Sequence, residues 1–572
     1  MTDYTTIESD ILIIGAGGAG MRAALAALDN GSTVTMVSKS VLGKAHTVMA
    51  EGGIAASVGK VDSKDSWQVH FSDTIVEGAY LSNWRMAEIL AKEAPERVFE
   101  LERFGAIFDR TPEGKIMQRA FGGHTYRRLC HVGDKTGLEI IRTLEDQIIH
   151  KNVKVVDEIY ITKLFKSGQS FGGAFGLSMR EGKFYLFKAK AIIIATGGCG
   201  RVYKVTSNSW ESTGDGLGLA YRIGVELQDM EMIQFHPTGM VYPPGVKGLL
   251  VTEGVRGEGG ILTNSKGERF MLRYSPEKKE LDARDVVARS IYYEIQAGRG
   301  TEHGGVYLDI SQKGADFIKH KLPGMYSQFK DFAGVDITKQ KMEVAPTVHY
   351  QMGGIKVDAE TGATNVKGVF SAGEVASGLH GGNRLGGNSL ADILVFGKRT
   401  GEAASAYAKK AKQPQISAND IEAAASEVEA FLKDSGTNPN ELMGRLRENM
   451  SDHVGIIRNE GDLQKALSVI NEIKSQYGNV GVHGSLKYNK GLLACLELGN
   501  MLIATEAIVR SAIMRKESRG AHARSDYPKK SREWLKSIIC KIDSKGNMQL
   551  STKPLAEMPD DLKKLVKPEV YD

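Results

Sequence analysis

Short apolar runs followed by glycine-rich turns recur three times along the chain. The first is ILII at 11–14, followed by GAGGAG and the alanine-rich stretch MRAALAAL. A short apolar run ended by glycines predicts a buried strand, and the alanine-rich stretch predicts a helix. AIIIATGGCG at 191–200 and GVFSAGE at 368–374 repeat the strand-then-glycine pattern. The three units predict one α/β domain whose sheet the chain revisits.

The pattern becomes helical after about residue 405. DIEAAASEVEAFLKD at 420–434 and GLLACLELGNMLIATEAIVRSAIMRK at 491–516 are both typical of helices, whereas the last stretch is charged and contains several prolines. The segment between the second and third glycine units predicts an insertion. The domain boundaries predicted on this basis are 1–239 and 344–404 for the α/β domain, 240–343 for the insertion, 405–514 for a helical domain, and 515–572 for a C-terminal tail.

The first glycine turn has the spacing of a nucleotide-binding site. Gly15, Gly17 and Gly20 follow the predicted strand and open the predicted helix, in the pattern G-x-G-x-x-G. Such glycines let the backbone approach a pyrophosphate at the N-terminus of a helix. The second strand ends in Ser38 and Lys39, where an acidic ribose ligand is usual, which weakens the prediction of a plain NAD site.

Charge and cysteine content narrow the function. The 572 residues carry a net charge of +5, which gives no support to nucleic-acid binding. The four cysteines form no C-x-x-C pair, so a disulfide framework, a structural zinc site and a cysteine-held iron–sulfur cluster within this chain are not expected. Neither a transmembrane run of about 20 apolar residues nor a signal peptide is evident by inspection.

Several polar residues lie in apolar or glycine-rich surroundings, where chemistry is plausible. They are His236, Thr252, Glu253, Arg256, Arg284, His349, Tyr350 and Arg384. Taken singly, each has a structural explanation, such as a hydrogen-bonded histidine or a local ion pair. Together, arginine, histidine and threonine donors near a nucleotide site suit a small dianion. The residues alone predict a flavin- or nicotinamide-dependent oxidoreductase acting on a small anionic substrate.

The order of the motifs resembles the flavoprotein subunit of succinate dehydrogenase and fumarate reductase, known as respiratory complex II. The motifs are GAGGAG, SKSVLGKAHTVMAEGG, ATGG, TGDG, QFHPTG, TEGVRGEGG, RDVVAR, HYQMGGI, SAGE, HGGNRLGGNSL and ESRGAHAR. They cover the chain from Asp10 to about Pro528. The resemblance implies a Rossmann-like FAD-binding domain with an inserted α+β capping domain, then a helical domain and a C-terminal tail domain.

The resemblance also implies the cofactor and its contacts. In this family a histidine in the HTV segment is bonded covalently to the 8α-methyl group of FAD, and the matching residue is His46. A covalent link keeps the cofactor in place and raises its reduction potential, which suits the oxidation of a saturated C–C bond. The other implied FAD contacts are Gly15, Ala16, Gly17, Gly18, Ala19, Gly20, Ser38, Lys39, Thr47, Glu51, Gly52, Gly53, Asp215, Glu374, Ser389 and Leu390.

Succinate oxidation to fumarate, reversible and by hydride transfer to the flavin, is the activity that the resemblance implies. His236, Thr252, His349 and Arg384 match the residues that hold the two carboxylates. Arg284 matches the proton donor and acceptor, with Glu253 and Arg256 as its relay to solvent. Because arginine is normally never deprotonated, this role requires a concerted or transient proton exchange, and a purely electrostatic role is the alternative.

Electrons must then leave the chain through partners. The family implies an iron–sulfur subunit, membrane anchor subunits and a quinone, with this chain peripheral on the cytoplasmic face of the cell membrane. The segment 517–528 is either part of that docking face or a solvated charged segment. Of three alternatives, fumarate reduction as the physiological direction fits the resemblance equally well. His46 argues against an L-aspartate oxidase-like enzyme, since those enzymes lack a histidine at this position, and the polar residues named above argue against a non-catalytic FAD-binding scaffold.

Overall fold

The structure is a computed structural model that describes residues 3–571. Met1, Thr2 and Asp572, at the ends of the first and last predicted domains, lie outside the described residues. The strands are β1 (Tyr4–Ile14), β2 (Val34–Val37), β3 (Ile54–Ala55), β4 (Gln118–Arg119), β5 (Leu129–Cys130), β6 (Lys154–Val156), β7 (Ile159–Ser167), β8 (Ser170–Ser178), β9 (Lys183–Ile194), β10 (Leu227–Gln228), β11 (Ile233–Met240), β12 (Ile261–Thr263), β13 (Val306–Asp309), β14 (Met342–Gln351), β15 (Gly354–Ile355), β16 (Val369–Ser371), β17 (Ile457–Arg458), β18 (Ala523–Arg524), β19 (Lys536–Ile542) and β20 (Met548–Pro554).

The α-helices are longest in the second half of the chain. They are α1 (Gly18–Asp29), α2 (Trp67–Glu77), α3 (Trp84–Arg103), α4 (Thr136–His150), α5 (Asp215–Arg222), α6 (Gly254–Gly257), α7 (Met271–Tyr274), α8 (Arg284–Glu294), α9 (Ala315–Lys321), α10 (Pro323–Ala333), α11 (Asn388–Ala408), α12 (Ala418–Glu429), α13 (Pro439–His453), α14 (Glu460–Tyr477), α15 (Lys490–Met514) and α16 (Asp560–Lys563). His46–Met49 forms a 3₁₀ turn.

The central sheet unites the three predicted strand-and-glycine units. Its strands lie in the order β6-β2-β1-β9-β8-β7, and β16 also pairs with β9. The pairs β6–β2, β2–β1, β1–β9 and β9–β16 are parallel, while β7 and β8 form an antiparallel edge. The carboxyl ends of β1, β2, β9 and β16 therefore meet at one edge, where open parallel sheets bind their ligands.

Two helices cover the sheet where the first and third units meet. α1 packs along α11, which follows the last glycine-dense loop. At Gly401 of α11, a Cβ atom would lie 2.2 Å from the carbonyl oxygen of Ala23, so only glycine permits this approach. The closeness of the two helices brings the loop before α11 to the edge of the sheet, beside the first glycine turn.

A second sheet lies beside the first and is formed by the predicted insertion. It is antiparallel, in the order β11-β14-β13-β12. Its own apolar core includes Met240, Leu262, Phe270 and Phe329. The sheet extends from Ile233 to Gln351, because β11 and β14 carry the chain into and out of it across the predicted limits of 240 and 343.

The helical region packs against the central sheet through α15. This helix is long and apolar enough to cross a membrane by length and composition alone, but 83% of its apolar window is buried inside the protein. It packs against α5, α13 and α14, which is typical of a core helix. The tail then returns to the α/β domain, since β19 pairs with β10 and α16 places Leu562 against Phe71.

Candidate active site

One cavity occupies the carboxyl edge of the central sheet, beneath the inserted sheet. It encloses about 1520 Å³ of empty space, including open solvent at its mouth. Of the predicted site residues, only Gly20 and Arg256 do not line it. Those that do are Gly15, Ala16, Gly17, Gly18, Ala19, Ser38, Lys39, His46, Thr47, Glu51, Gly52, Gly53, Asp215, His236, Thr252, Glu253, Arg284, His349, Glu374, Arg384, Ser389 and Leu390.

The turn between β1 and α1 is shaped for a close ligand. Gly15 has φ +111°, and a Cβ there would lie 2.2 Å from the carbonyl oxygen of Ala195. Gly17 caps α1 without a side chain, so N–H groups of the first turn remain for an anionic ligand. Gly20 lies behind the turn, where its Cβ would be 1.9 Å from the Gly15 carbonyl oxygen. Gly20 therefore shapes the turn without reaching the cavity.

Lys39, at the end of β2, is held in a buried ion cluster. Its Nζ lies 2.6 Å from Asp215 Oδ2 and 2.9 Å from Glu497 Oε1, and it also donates to the Thr213 hydroxyl. Burial alone would lower the pKa of Lys39, but Asp215 and Glu497 raise it above its usual value. Glu497 comes from α15, so the cluster joins the helical region to the cavity. Sequence analysis missed Glu497 because it lies inside a helix, 458 residues from its partner.

His46 lies in the cavity wall as a neutral imidazole. Burial, followed by the charge of Arg384, lowers the pKa of His46 to about 4. The Ser209 N–H donates to His46 Nδ1 at 3.4 Å, and Asn208 Nδ2 lies 3.2 Å from Nε2. Its ring centroid is 6.2 Å from that of His349. An unprotonated imidazole nitrogen is the form that acts as a nucleophile.

Two arginines and one carboxylate form the polar end of the cavity. Arg284 begins α8 and donates from Nε to Glu253 Oε2 at 2.8 Å. Arg256 Nη2 lies 3.7 Å from the same Glu253 oxygen, behind the cavity wall. Burial would raise the pKa of Glu253, but Arg284 and Arg256 lower it below its usual value. Glu253 is therefore ionised and touches both cations.

Arg384 approaches from the glycine-dense loop before α11. Burial, and then the charge of Arg284, lowers the pKa of Arg384 to about 9. Its Nη1 donates to Ser389 Oγ at 2.9 Å, but its buried Nε has no partner. The guanidinium lies 4.4 Å from the ring centroid of Tyr350, close enough for a cation–π contact. One donor thus remains for a ligand.

The two histidines predicted to bind the substrate are buried and uncharged. His236 and His349 have ring centroids 5.1 Å apart. Burial and the charge of Arg284 hold the pKa of His236 well below its usual value, and burial and His236 do the same for His349. His236 Nδ1 is buried without a partner, whereas His349 Nδ1 pairs with Ser207 Oγ at 2.8 Å.

The charge at this end of the cavity matches a dianion. The guanidinium groups of Arg256, Arg284 and Arg384 and the carboxylate of Glu253 leave two positive charges in excess. Buried charges without compensation are costly, so a ligand with two carboxylates would relieve them. The unpartnered Arg384 Nε supplies a donor for it, whereas neutral His236 donates from Nε2 to the Val251 carbonyl oxygen at 3.1 Å and therefore has an acceptor at Nδ1.

Gln234 is a site residue that sequence analysis missed. Its Oε1 accepts from Arg284 Nη1 and from Arg384 Nη2, both at 3.1 Å. A neutral acceptor shared by two guanidinium groups holds them together without cancelling their charge. The signal was present, because Gln234 and His236 are two residues apart in β11, the spacing of side chains on one strand face.

Two further carboxyl groups line the cavity, and both have raised pKa values. Burial raises the pKa of Glu374 to about 7, while its Oε1 accepts from the Gln351 N–H at 3.1 Å. Burial and Asp134 raise the pKa of Glu51 well above its usual value. Glu51 lies beside the hydroxyl of Thr252, at the polar end, and one of its oxygens has no partner.

Comparison with known protein families assigns the chain to a family. Residues 10–390 match the FAD binding domain family, and residues 443–567 match the fumarate reductase flavoprotein C-terminal family. The chain belongs to the succinate dehydrogenase and fumarate reductase flavoprotein family. The predicted family, the FAD-binding domain with its capping, helical and C-terminal domains, and the prediction of an oxidoreductase are confirmed.

Relatives of known name cover nearly the whole chain. One subunit of the fumarate reductase (CoM/CoB) of Methanothermobacter marburgensis is 47% identical over 533 residues, 93% of this chain and 97% of the relative. The succinate dehydrogenase flavoprotein subunit of Rickettsia bellii is 39% identical over 580 residues, which cover 97% of this chain and 96% of the relative. The solved structure of Mycobacterium smegmatis Sdh1 in complex with UQ1 is 49% identical, with a TM-score of 0.87 over 97% of this chain and 95% of that one.

The cavity fits the cofactor that membership of this flavoprotein family implies. FAD has a pyrophosphate, which the glycine turn at Gly15 and the start of α1 are shaped to approach. The same cavity is lined by this turn and by the polar end, where the excess positive charge suits a small anionic substrate. His46 lies between the two regions, within the reach of Asn208 and Ser209.

Proposed function

We propose that this chain interconverts succinate and fumarate as the flavoprotein subunit of a succinate dehydrogenase or fumarate reductase. The observation that carries the proposal is the buried polar end of the cavity, with its two excess positive charges and the unpartnered donor Nε of Arg384. When bound, FAD supplies the two-electron oxidation of the substrate's C–C bond. The residues of this chain bind, orient and exchange protons.

Binding is the task of Arg384, His349, His236 and Thr252. Arg384 offers Nε to one carboxylate, and its other nitrogens are fixed by Ser389 and Gln234. His236, held neutral by burial, donates from Nε2 to the Val251 carbonyl oxygen, so its unpartnered Nδ1 faces the ligand as an acceptor and adds no charge. Because these groups are already held in place by the fold, little conformational entropy is lost when they orient the substrate and set its two reacting carbons in position.

Proton exchange is the task of Arg284 with Glu253. We place the exchange at one nitrogen: as the Nε proton of Arg284 moves to Glu253 Oε2, 2.8 Å away, the same Nε takes the proton that leaves the substrate carbon. The guanidinium then keeps its five N–H protons, and a purely electrostatic role for Arg284 is the alternative. Arg256, 3.7 Å from the same oxygen, stabilises the ionised Glu253 to which the proton moves. The reverse sequence delivers a proton during fumarate reduction.

We also propose that His46 carries FAD covalently. Its low pKa keeps a ring nitrogen unprotonated at neutral pH, so His46 would be the residue able to hold FAD by a bond from an imidazole nitrogen to the 8α carbon. We further propose that an iron–sulfur subunit receives the electrons and passes them to a quinone through membrane anchor subunits. In that arrangement this chain is peripheral, on the cytoplasmic face of the membrane.

The experiment that tests the substrate site removes one charged donor. Arg384→Leu is expected to weaken the binding of succinate, fumarate and malonate together, because loss of one desolvated charge-assisted contact costs about 2–4 kcal/mol. The matched control is Arg399→Leu on the helix that follows, where Arg399 pairs with Glu93 and Glu360 outside the cavity. Dissociation constants come from flavin difference spectra. Unchanged malonate affinity in the Arg384 variant would remove that residue from the substrate site.

A further inference from the structure

Glu211 is a buried carboxylate in the cavity that the proposed reaction does not use. In the described part of the chain, five acidic side chains line this cavity: Glu51, Glu211, Asp215, Glu253 and Glu374. Both side-chain oxygens of Glu211 are buried, and neither has a hydrogen-bond partner. A buried carboxylate left unpaired is costly, so this position requires a ligand donor to be favourable.

The other four carboxylates are already engaged. Asp215 accepts from Tyr160 and Asn500 through Oδ1 and from Lys39 and Thr213 through Oδ2. Glu253 is bound by Arg284 and by the Gly122 N–H, Glu374 by the Gln351 N–H, and Glu51 by Thr252. Glu211 is therefore the carboxylate with free acceptor capacity on both oxygens.

The backbone places Glu211 between His46 and the Lys39–Asp215 pair, two features of the cavity wall. Two residues before it, the Ser209 N–H donates to His46. Two residues after it, Thr213 donates its backbone N–H to the Glu211 carbonyl oxygen at 2.9 Å and its hydroxyl to Asp215. Glu211 thus lies along the cavity between His46 and the Lys39–Asp215 pair.

We propose that Glu211 accepts hydrogen bonds from a sugar diol of FAD, on the ribose or on the ribityl chain. In dinucleotide-binding folds an acidic residue at the end of the second strand binds the ribose, but here that strand ends in Ser38 and Lys39. Lys39 is consumed by Asp215 and Glu497 and offers no acceptor. Glu211 takes over this task from a different segment of the chain.

The test compares Glu211→Leu and Glu211→Gln in the full chain carrying His46→Ser, so that FAD exchanges reversibly. Flavin fluorescence gives the FAD dissociation constant. We expect Glu211→Leu to weaken FAD binding on the order of tenfold to a hundredfold, and Glu211→Gln to weaken it less, since an amide retains one acceptor. The control Glu448→Leu alters an exposed carboxylate outside the cavity and should leave FAD binding unchanged.

Two further readouts separate ligand binding from a structural role. Because Glu211 is unpaired without FAD, the melting temperature of the apoprotein should stay level or rise in both variants. Competition with ADP, which has only the ribose, and binding of FMN, which has only the ribityl chain, show which diol is bound. Unchanged FAD affinity in Glu211→Leu, or a fall in apoprotein melting temperature that accompanies the loss of affinity, would overturn the inference. Neither readout depends on succinate turnover, so the proposed function can fail separately.

Discussion

The protonation states of the histidines in this cavity depend more on the neighbouring residues than on the intrinsic pKa of histidine. His46, His236 and His349 would titrate near neutral pH in water, yet burial beside arginines lowers the pKa of each. The motifs identified these residues as candidates, but the protonation states follow from the arginines packed around them. No pattern in sequence reports that packing, because Arg384 lies far along the chain from His46.

His46 gives the prediction at this scale. After acid precipitation of the assembled protein, flavin should remain with the polypeptide, whereas His46→Ser should bind FAD reversibly and lose more succinate oxidation than fumarate reduction. Since the pKa of His46 is about 4, the imidazole is unprotonated above that value and charged only below it. Covalent incorporation of FAD should therefore vary little between pH 8 and pH 5. Complete release of free FAD from the wild-type chain would contradict the covalent link.

The strands around the cavity were more predictable from the sequence than the boundaries of the domains. Short apolar runs ending in glycine marked β1, β9 and β16, because a buried parallel strand is apolar throughout and its following turn needs glycine. The limits of the inserted domain at 240 and 343 were drawn from composition, and that division stays a prediction. β11 runs through the limit at 240 and β14 through the limit at 343, because no change of composition marks a position inside a strand.

The turn after β1 offers a prediction at the scale of an element. Gly15→Ala should abolish FAD binding, because φ is +111° and a Cβ would lie 2.2 Å from the Ala195 carbonyl oxygen. Gly31→Ala is the matched control, as it has φ +78° but no atom within 4 Å of the added Cβ. We expect it to keep FAD and to lose about 1–2 kcal/mol of unfolding free energy. FAD content and urea unfolding measure the two effects, and normal FAD content in Gly15→Ala would contradict this role of the turn.

At the scale of the whole molecule, the tail is joined to the body by buried charge. Arg515, Glu517, Arg519, His522 and Arg524 are all buried, so a solvated charged segment is wrong for the first part of 517–528. Only 525–528 is exposed. The sequence showed charged residues without showing what they pair with, because the partners of Arg515 lie near residue 230. The role of 517–528 in docking a partner stays a prediction.

Loss of Arg515 should lower the unfolding free energy of the protein. It lies within ion-pair distance of Asp229, Glu231 and Glu517, and both Arg515 and Glu231 are fully buried. Arg515→Leu should cost about 3–5 kcal/mol of unfolding free energy, since buried carboxylates lose their cation. The control Arg445→Leu breaks an exposed pair with Glu472 and should cost at most about 1 kcal/mol. Equal stability of the two variants by urea unfolding would contradict a structural role for this network.

The most direct measurement of the central claim is the formation of fumarate from succinate by the FAD-loaded chain with an artificial electron acceptor. The wild-type protein should turn over succinate, with malonate as a competitive inhibitor, and should not oxidise L-aspartate. Arg284→Lys keeps the charge but should lower kcat by about 10²–10⁴, the range for lost acid–base catalysis, while malonate affinity changes little. Its residual rate should rise with pH as the lysine loses its proton. A wild-type protein that binds FAD and malonate but oxidises no succinate, or a near-normal kcat in Arg284→Lys, would contradict the account.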